Sequence, residues 1–148
     1  MPSKSYPDRF FPDADEARIV AAIRAFERRT SGEIRVHVER HLRRPPVDEA
    51  VRVFERLGMD ATAQRNGVLI LLAPGERAFA IVGDAGINAV TGPGFWDGAR
   101  DAMRPHFAAG DYVAGLEAGI ALAGEALATH FPLLDDDVNE LPDDISYG

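Results

Sequence analysis

The stretch Asn66-Gly67-Val68-Leu69-Ile70-Leu71-Leu72-Ala73-Pro74-Gly75 is an uninterrupted apolar run between two turn signals. A short run of this kind, bounded by Asn-Gly and Pro-Gly, predicts a buried central strand over Val68–Ala73. The following Pro74–Arg77 segment predicts a tight connection into a further strand, Ala78–Val82. We therefore expect an antiparallel hairpin at the centre of the protein.

A second strand pattern lies upstream of this hairpin. Residues Glu33–Glu39 alternate strictly between polar and apolar side chains, which predicts a half-buried strand whose polar side chains, including His37, face solvent. An amphipathic helix over residues 47–57 separates this strand from Val68–Ala73. The order strand, helix, strand predicts that the two strands are parallel and joined by a right-handed crossover.

Helical patterns occupy both ends of the chain. Asp13 is placed to cap a first helix, with Glu16 completing a capping box, and Gly32 is expected to supply a left-handed turn after its end. Asp111 is placed to cap a last helix that Pro132 ends. Glycines inside this helix lower its stability by about 1 kcal/mol each relative to alanine. They predict close packing of its backbone on a neighbour at Gly115, Gly119 and Gly124.

The glycine-richest part of the chain, Gly83–Gly94, is expected to be a loop. A helix with Phe95 and Trp96 follows, and Pro105 is expected to end or kink it. Strands alternating with helices predict an α/β fold: a three-layer sandwich with a mixed central β-sheet flanked by helices on both faces. We expect one domain over residues 13–132, after an N-terminal extension (1–12) and before an acidic C-terminal tail (133–148).

Composition limits the classes of function. The 148 residues carry a net charge of −8, and six of the 24 acidic residues lie between Asp135 and Asp144. An acidic chain disfavours nucleic acid as a partner. Cysteine is absent, which excludes thiolate catalysis and cysteine-ligated metals. The N-terminus lacks the apolar segment of a secretory signal, and no apolar run approaches the ~20 residues of a membrane span. The sequence therefore predicts a cytoplasmic protein with no membrane partner.

The chemistry-bearing residues are acidic. Hairpin and parallel-strand geometry bring Glu33, Asn66 and Asp84 to one edge of the predicted sheet. Asp97 and Asp101 are four residues apart, so they share one face of the helix that leaves this edge. Oxygen ligands without histidine or cysteine suit a hard cation, Ca²⁺ or Mg²⁺. The alternative for each acid is structural: Asp84 caps a turn, Asp97 interacts with a helix dipole, and Asp101 is solvated.

Three segments of the chain resemble the TPM-domain family. They are Thr30–Val36, then Asn66–Pro74 with Arg77–Gly86 following, and Phe107–Tyr112 leading into the glycine-containing last helix. Together they cover roughly residues 13–131, and the chain resembles the small single-domain bacterial type. Many members carry an acid after the third strand at the position where this chain has Asn88.

The resemblance implies an α/β sandwich with a mixed sheet and divalent-cation binding, of calcium especially, at an acidic loop edge. For some members it also implies acid-phosphatase activity. The positions that match here are Glu33, Asn66, Asp84 and Asp97, with Asp101 as a neighbour.

The leading hypothesis is therefore a TPM-like domain that binds Ca²⁺ or Mg²⁺ at this edge. Metal-assisted hydrolysis of a phosphomonoester substrate is a separate hypothesis, which cation binding alone does not imply. The sequence identifies no catalytic nucleophile, since only Ser31 among the four serines lies in the body of the domain. The alternative is a non-catalytic, metal-ordered protein-interaction module, in which Phe95 and Trp96 anchor a protein partner. The sequence leaves the oligomeric state open.

Overall fold

The computed structural model describes residues 10–133 and 145–148. Of the predicted extension and tail, residues 1–9 and 134–144 lie outside the described residues. The helices and strands, in chain order, are α1 (Asp13–Glu27), β1 (Glu33–Val38), α2 (Pro46–Arg56), β2 (Gly67–Ala73), β3 (Ala78–Gly83), α3 (Ala85–Thr91), α4 (Phe95–Ala108), α5 (Tyr112–His130) and β4 (Ser146–Tyr147).

The strands form one mixed sheet in the order β3-β2-β1-β4. β1 is parallel to β2, with Glu33 opposite Gly67, and β3 is antiparallel to β2, with Gly83 opposite Val68. The C-terminal β4 adds to the free edge of β1 in parallel. The predicted hairpin, the parallel crossover and the α/β fold class are confirmed.

Helices cover the two faces of the sheet unequally. Every residue of β2 is buried. Alternate residues of β2, such as Ile70, pack with α1, α4 and α5 in the larger core. The intervening residues, such as Leu69, pack with α2 in the smaller core. β2 is apolar on both faces because helices cover both faces of the sheet. The sheet and the helices on its two sides form the three layers.

The first helix ends differently from the prediction. Pro12, not Asp13, is at the N-cap of α1, and the helix ends at Glu27 without a left-handed Gly32. Gly32 is required for space, because a Cβ there would lie 2.6 Å from Leu127 Cδ2. The turn is instead held by Thr30, whose Oγ1 donates to the carbonyl of Phe131 (2.6 Å) and accepts from the amide of Gly32 (2.9 Å).

One further local expectation is wrong. The glycine-rich segment contains the helix α3, which begins where the Asp84 carboxylate accepts a hydrogen bond from the amide of Ala85 (2.7 Å). Pro105 does not end α4, which continues to Ala108. The expected cap of α5 is confirmed, since Asp111 Oδ1 accepts from the amide of Ala114 (3.1 Å).

No helix in the described ranges combines the length and the apolar character needed to cross a membrane.

Candidate functional site

The ends of three strands bring three polar side chains to one edge of the sheet. Glu33 begins β1, Asn66 precedes β2 and Asp84 follows β3. Backbone hydrogen bonds hold this edge together: the amide of Glu33 donates to the carbonyl of Asn66 (3.3 Å), and the amide of Asp84 donates to the carbonyl of Gly67 (2.9 Å). All three of the polar residues are buried. We call Glu33, Asn66 and Asp84 the acidic edge.

Asp84 is the most constrained member of the acidic edge. The residue is 7% exposed, and its two carboxylate oxygens accept from Nε (2.7 Å) and Nη2 (2.8 Å) of Arg65. Asp84 Oδ1 also accepts from the amide of Ala85, which caps α3. The carboxylate raises the pKa of the Arg65 guanidinium through the hydrogen bond and the charge. Asp84 is therefore already neutralised, by an arginine whose own side chain is 51% exposed.

The turn that carries Arg65 is fixed against α3. Arg65 has a left-handed backbone, with φ of 52°. Its carbonyl accepts from the amide of Gly86 (2.8 Å) and from that of Ile87 (3.3 Å). A Cβ on Gly86 would lie 2.1 Å from the carbonyl oxygen of Gln64, so only glycine allows this approach. The backbone of Arg65 is thus fixed, whereas about half of its side chain is exposed to solvent.

Asn66 is anchored from two sides. Its amide donates to Thr62 Oγ1 (3.3 Å), and its side-chain Nδ2 donates to Ser31 Oγ (3.2 Å). These bonds orient the side-chain amide at the start of β2. Its oxygen is a ligand type that hard cations accept.

Asp97 and Asp101 lie on the outer surface of α4. Their side chains are 71% and 76% exposed, and each pairs with an arginine three residues further along the helix, Arg100 and Arg104. Neither of these two ion pairs involves a residue of the acidic edge. The predicted set of five is thus brought together in two groups, three residues at the edge and two on the helix.

The start of α4 nevertheless lies beside the edge. Trp96 Nε1 donates to Asn88 Oδ1 (2.7 Å), and Asn88 Nδ2 donates to the carbonyl of Gly83 (2.8 Å). A Cβ on Gly83 would lie 2.6 Å from the Trp96 ring. Trp96 therefore packs on the last residue of β3, and Asp97 follows it directly.

Within residues 10–133 and 145–148, no three histidine, cysteine, aspartate or glutamate side chains are grouped in a way that could hold a metal ion. The oxygen donors of the acidic edge are of the right type for a hard cation. They do not form a preassembled site, because Arg65 engages both oxygens of Asp84.

Arg65 is not among the site residues predicted from the sequence. Arg65 directly precedes the Asn66-Gly67 turn. A positively charged residue next to a predicted acidic site residue is the only feature of the sequence that indicates the pairing. Spacing alone gives no indication that this side chain reaches Asp84, because the pairing depends on the left-handed backbone of the turn.

The expectation that His37 faces solvent is wrong. His37 is fully buried, its Nδ1 lies 2.8 Å from Ser146 Oγ, and its Nε2 lies 2.9 Å from Glu39 Oε1. Burial lowers the pKa of His37, against the opposing effects of Glu39 and Glu49, and Arg56 adds to the lowering. The C-terminal strand contributes to this burial, because β4 pairs with β1 directly beside His37 and brings Ser146 and Gly148 to the ring. The cluster is structural, because a side chain without exposed surface cannot meet a substrate.

Comparisons of the sequence and of the fold with known proteins identify relatives of this chain. The family described as the TPM domain matches residues 6–126. The NMR structure of BA42 protein from the psychrophilic bacterium Bizionia argentinensis is 46% identical, covers 98% of this chain and 100% of its own, and superposes with a TM-score of 0.88. A comparison with curated protein sequences gave no match.

Two more distant solution structures share the fold. The N-terminal domain of a protein from P. gingivalis is 21% identical, with 84% of this chain and 81% of that one covered and a TM-score of 0.70. The N-terminal domain of the cg2496 protein from Corynebacterium glutamicum is 19% identical, with 85% and 84% covered and a TM-score of 0.63. At these identities the likeness concerns the fold alone.

Proposed function

The chain belongs to the TPM domain family, and we propose that it binds a hard divalent cation, Ca²⁺ or Mg²⁺, at the acidic edge. The observation that carries the proposal is the buried Asp84 carboxylate, held at the meeting point of three strand ends and neutralised by a half-exposed arginine. Glu33 and Asn66 lie at the same edge and supply further oxygen donors.

In this proposal the cation competes with Arg65 for Asp84. Because half of the Arg65 side chain is already in water, it can leave the carboxylate without exposing any core. A bound cation would then supply the positive charge that the buried carboxylate requires. Asp97 and Asp101 are held only by exposed pairs on their own helix, so they are available as additional ligands.

Two functions follow from such a site. In the enzymatic version, metal-assisted hydrolysis of a phosphomonoester, the cation would polarise the phosphoryl group and activate water. In the non-catalytic version, the cation orders the segment from Gly83 to Trp96 and a protein partner binds that surface. The Trp96–Asn88–Gly83 hydrogen bonds favour this version, because they already join that segment to the acidic edge.

The test is a titration of metal-stripped protein with Ca²⁺ and with Mg²⁺, followed by amide chemical shifts. We expect saturable shifts centred on Glu33, Asn66 and Asp84. Arg65→Ala removes the competitor and should lower the Kd for the cation, whereas Asp84→Asn should abolish binding. Asp48→Asn, an exposed acid on α2, is the matched control and should change nothing.

The proposal would be refuted if millimolar cation caused no saturable amide shifts in either the wild type or Arg65→Ala. With binding established, a phosphomonoesterase assay separates its two versions. Hydrolysis that is lost in Asp84→Asn supports the enzyme. If no hydrolysis occurs at saturating cation, or if hydrolysis is unchanged in Asp84→Asn, the result supports the non-catalytic interaction module.

A further inference from the structure

A cavity of about 420 Å³ lies at the other end of β3 from Asp84. It opens where the turn into β3 meets the junction of α4 and α5. Since β3 rises about 3.3 Å per residue, the cavity is about 20 Å from the acidic edge. Its principal lining residues are Leu72, Arg77, Phe79, Arg104, Phe107 and Tyr112.

The wall of this cavity is aromatic and fixed in place. The Phe79 and Phe107 rings meet edge to face, with centroids 4.7 Å apart, and Tyr112 lies 6.1 Å from Phe107. A Cβ on Gly115 of α5 would lie 2.3 Å from the Phe107 ring. Phe107 is thus pressed against the backbone of α5, so the aromatic surface exists before any ligand arrives.

Two arginines line the same cavity. The Arg77 backbone is left-handed, with φ of 53°, and no described residue forms an ion pair with its side chain. The Arg104 guanidinium lies 5.9 Å from the Phe79 ring centroid and is held by the highly exposed Asp101 at 3.0 Å. Exposed pairs of this kind are weak, so Arg104 is available to a ligand.

The nearby acids are already engaged elsewhere. Glu76 accepts from the amide of Leu42 (2.8 Å), and Asp111 accepts from the amide of Ala114 (3.1 Å). Tyr112 also lines the cavity, and its hydroxyl has no hydrogen-bond partner among the described residues, so it can act as an additional donor. The cavity therefore presents positive charge and a hydrogen-bond donor beside apolar rings.

We propose that this cavity binds small aryl anions, in which a planar aromatic ring carries one carboxylate or phosphate group. The anionic group pairs with Arg77 and Arg104, which suit the planar geometry of carboxylates and phosphates. The ring packs on Phe79 and Phe107. The volume is within the ~300–1,000 Å³ of small-molecule sites and accommodates one substituted ring. The site needs no cation, and its lining includes none of Glu33, Asn66 and Asp84.

The experiment is an amide-shift titration of the full chain with benzoate and with phenyl phosphate, in the presence of a chelator. We expect saturable shifts confined to the start of β3 and the α4–α5 junction. The Kd should be about 1 mM, the range for ligands of so few atoms. Inorganic phosphate contains only the anionic group and benzyl alcohol only the aromatic ring. Each should bind at least about tenfold more weakly than the complete ligands. The relative affinities of benzoate and phenyl phosphate identify which anionic group the site prefers.

Variants separate this site from general charge attraction. Arg77→Ala and Arg104→Ala should each weaken binding about fivefold or more. Arg77→Gly, which the left-handed backbone favours, should give the same loss and exclude strain as its cause. Arg52→Ala, an exposed arginine on the opposite layer, should bind as the wild type does.

Three results would overturn the proposal. One is the lack of saturable shifts at about ten times the expected Kd. Another is equal binding of inorganic phosphate and phenyl phosphate, which would show that the rings are not recognised. The last is unchanged affinity in both arginine variants.

Discussion

Gly124→Ala should destabilise the protein, although alanine is the better helix former. Gly124 lies in α5 where this helix crosses α1. A Cβ at this position would lie 2.4 Å from Cγ and Cδ2 of Phe26 and 2.6 Å from Cδ1. The ring is partly buried against the larger core, and the Arg29 guanidinium lies 5.2 Å from its centroid. Carbon atoms pack at about 3.5–4.0 Å, so the ring or the helix must move by about 1 Å.

The sign of the effect follows from two opposing terms. Replacing glycine by alanine inside a helix stabilises it by about 1 kcal/mol. Overpacking a well-filled core costs about 1–3 kcal/mol. Because the clash involves three ring atoms at once, we place the cost near the upper part of this range. The net expectation is a loss of about 1–2 kcal/mol in the free energy of unfolding.

The matched control is Gly98→Ala in α4. No atom lies within 4 Å of the Cβ that this substitution adds, and the position is exposed. Only the helix-propensity term remains, so the variant should gain about 0.5–1 kcal/mol. The two alanine variants should therefore differ by about 2 kcal/mol, or roughly 4–8 °C in Tm for a domain of this size.

Urea denaturation and thermal melting of both variants measure this difference. Stabilisation by both substitutions would show that α1 and α5 are not closely packed at Gly124, and the reasoning would fail. A second check uses Phe26→Leu, which opens space at the contact. In that background Gly124→Ala should become neutral or stabilising, because the two positions are directly coupled.

Three further outcomes are expected from denaturation experiments. Thr30→Val removes the hydroxyl that donates to the carbonyl of Phe131 and accepts from the amide of Gly32, and should cost about 1 kcal/mol. Asp111→Ala removes the cap of α5 and should cost about 1 kcal/mol; a loss below a few tenths would contradict the capping role. Because burial lowers the pKa of His37, the unfolded chain binds a proton that the folded chain does not. The stability that neutral His37 provides is therefore present above pH ~6.5 and should decrease as the pH falls below it, less so in His37→Gln.

The centre of the fold is predictable from the sequence because its signals are local. The apolar run Val68–Ala73 and its flanking turns determine a hairpin that no distant contact needs to modify. The helix α3 is the opposite case. Its glycine, Gly86, disfavours a helix, and the helix forms because Asp84 caps it and Ile87 is buried in the core. Tertiary contacts of this kind override local propensity.

The same distinction applies to the polar residues. Strand register follows from the hydrophobic pattern, so the convergence of Glu33, Asn66 and Asp84 could be predicted from the sequence. The residues that neutralise or bury these polar side chains come from other parts of the fold. Arg65 reaches Asp84 from a neighbouring turn, and Ser146 reaches His37 across 109 residues of sequence. No spacing rule connects positions so far apart.

The identity of residue 84 supports a role beyond capping. Serine or asparagine caps a helix about as well as aspartate does and brings no charge into a buried position. A buried carboxylate is costly unless a positive partner accompanies it in every state the protein occupies. Arg65 is that partner in the structure, yet it approaches from the solvent side rather than from the core. A partner on the solvent side is the arrangement that the proposed exchange between arginine and a divalent cation requires.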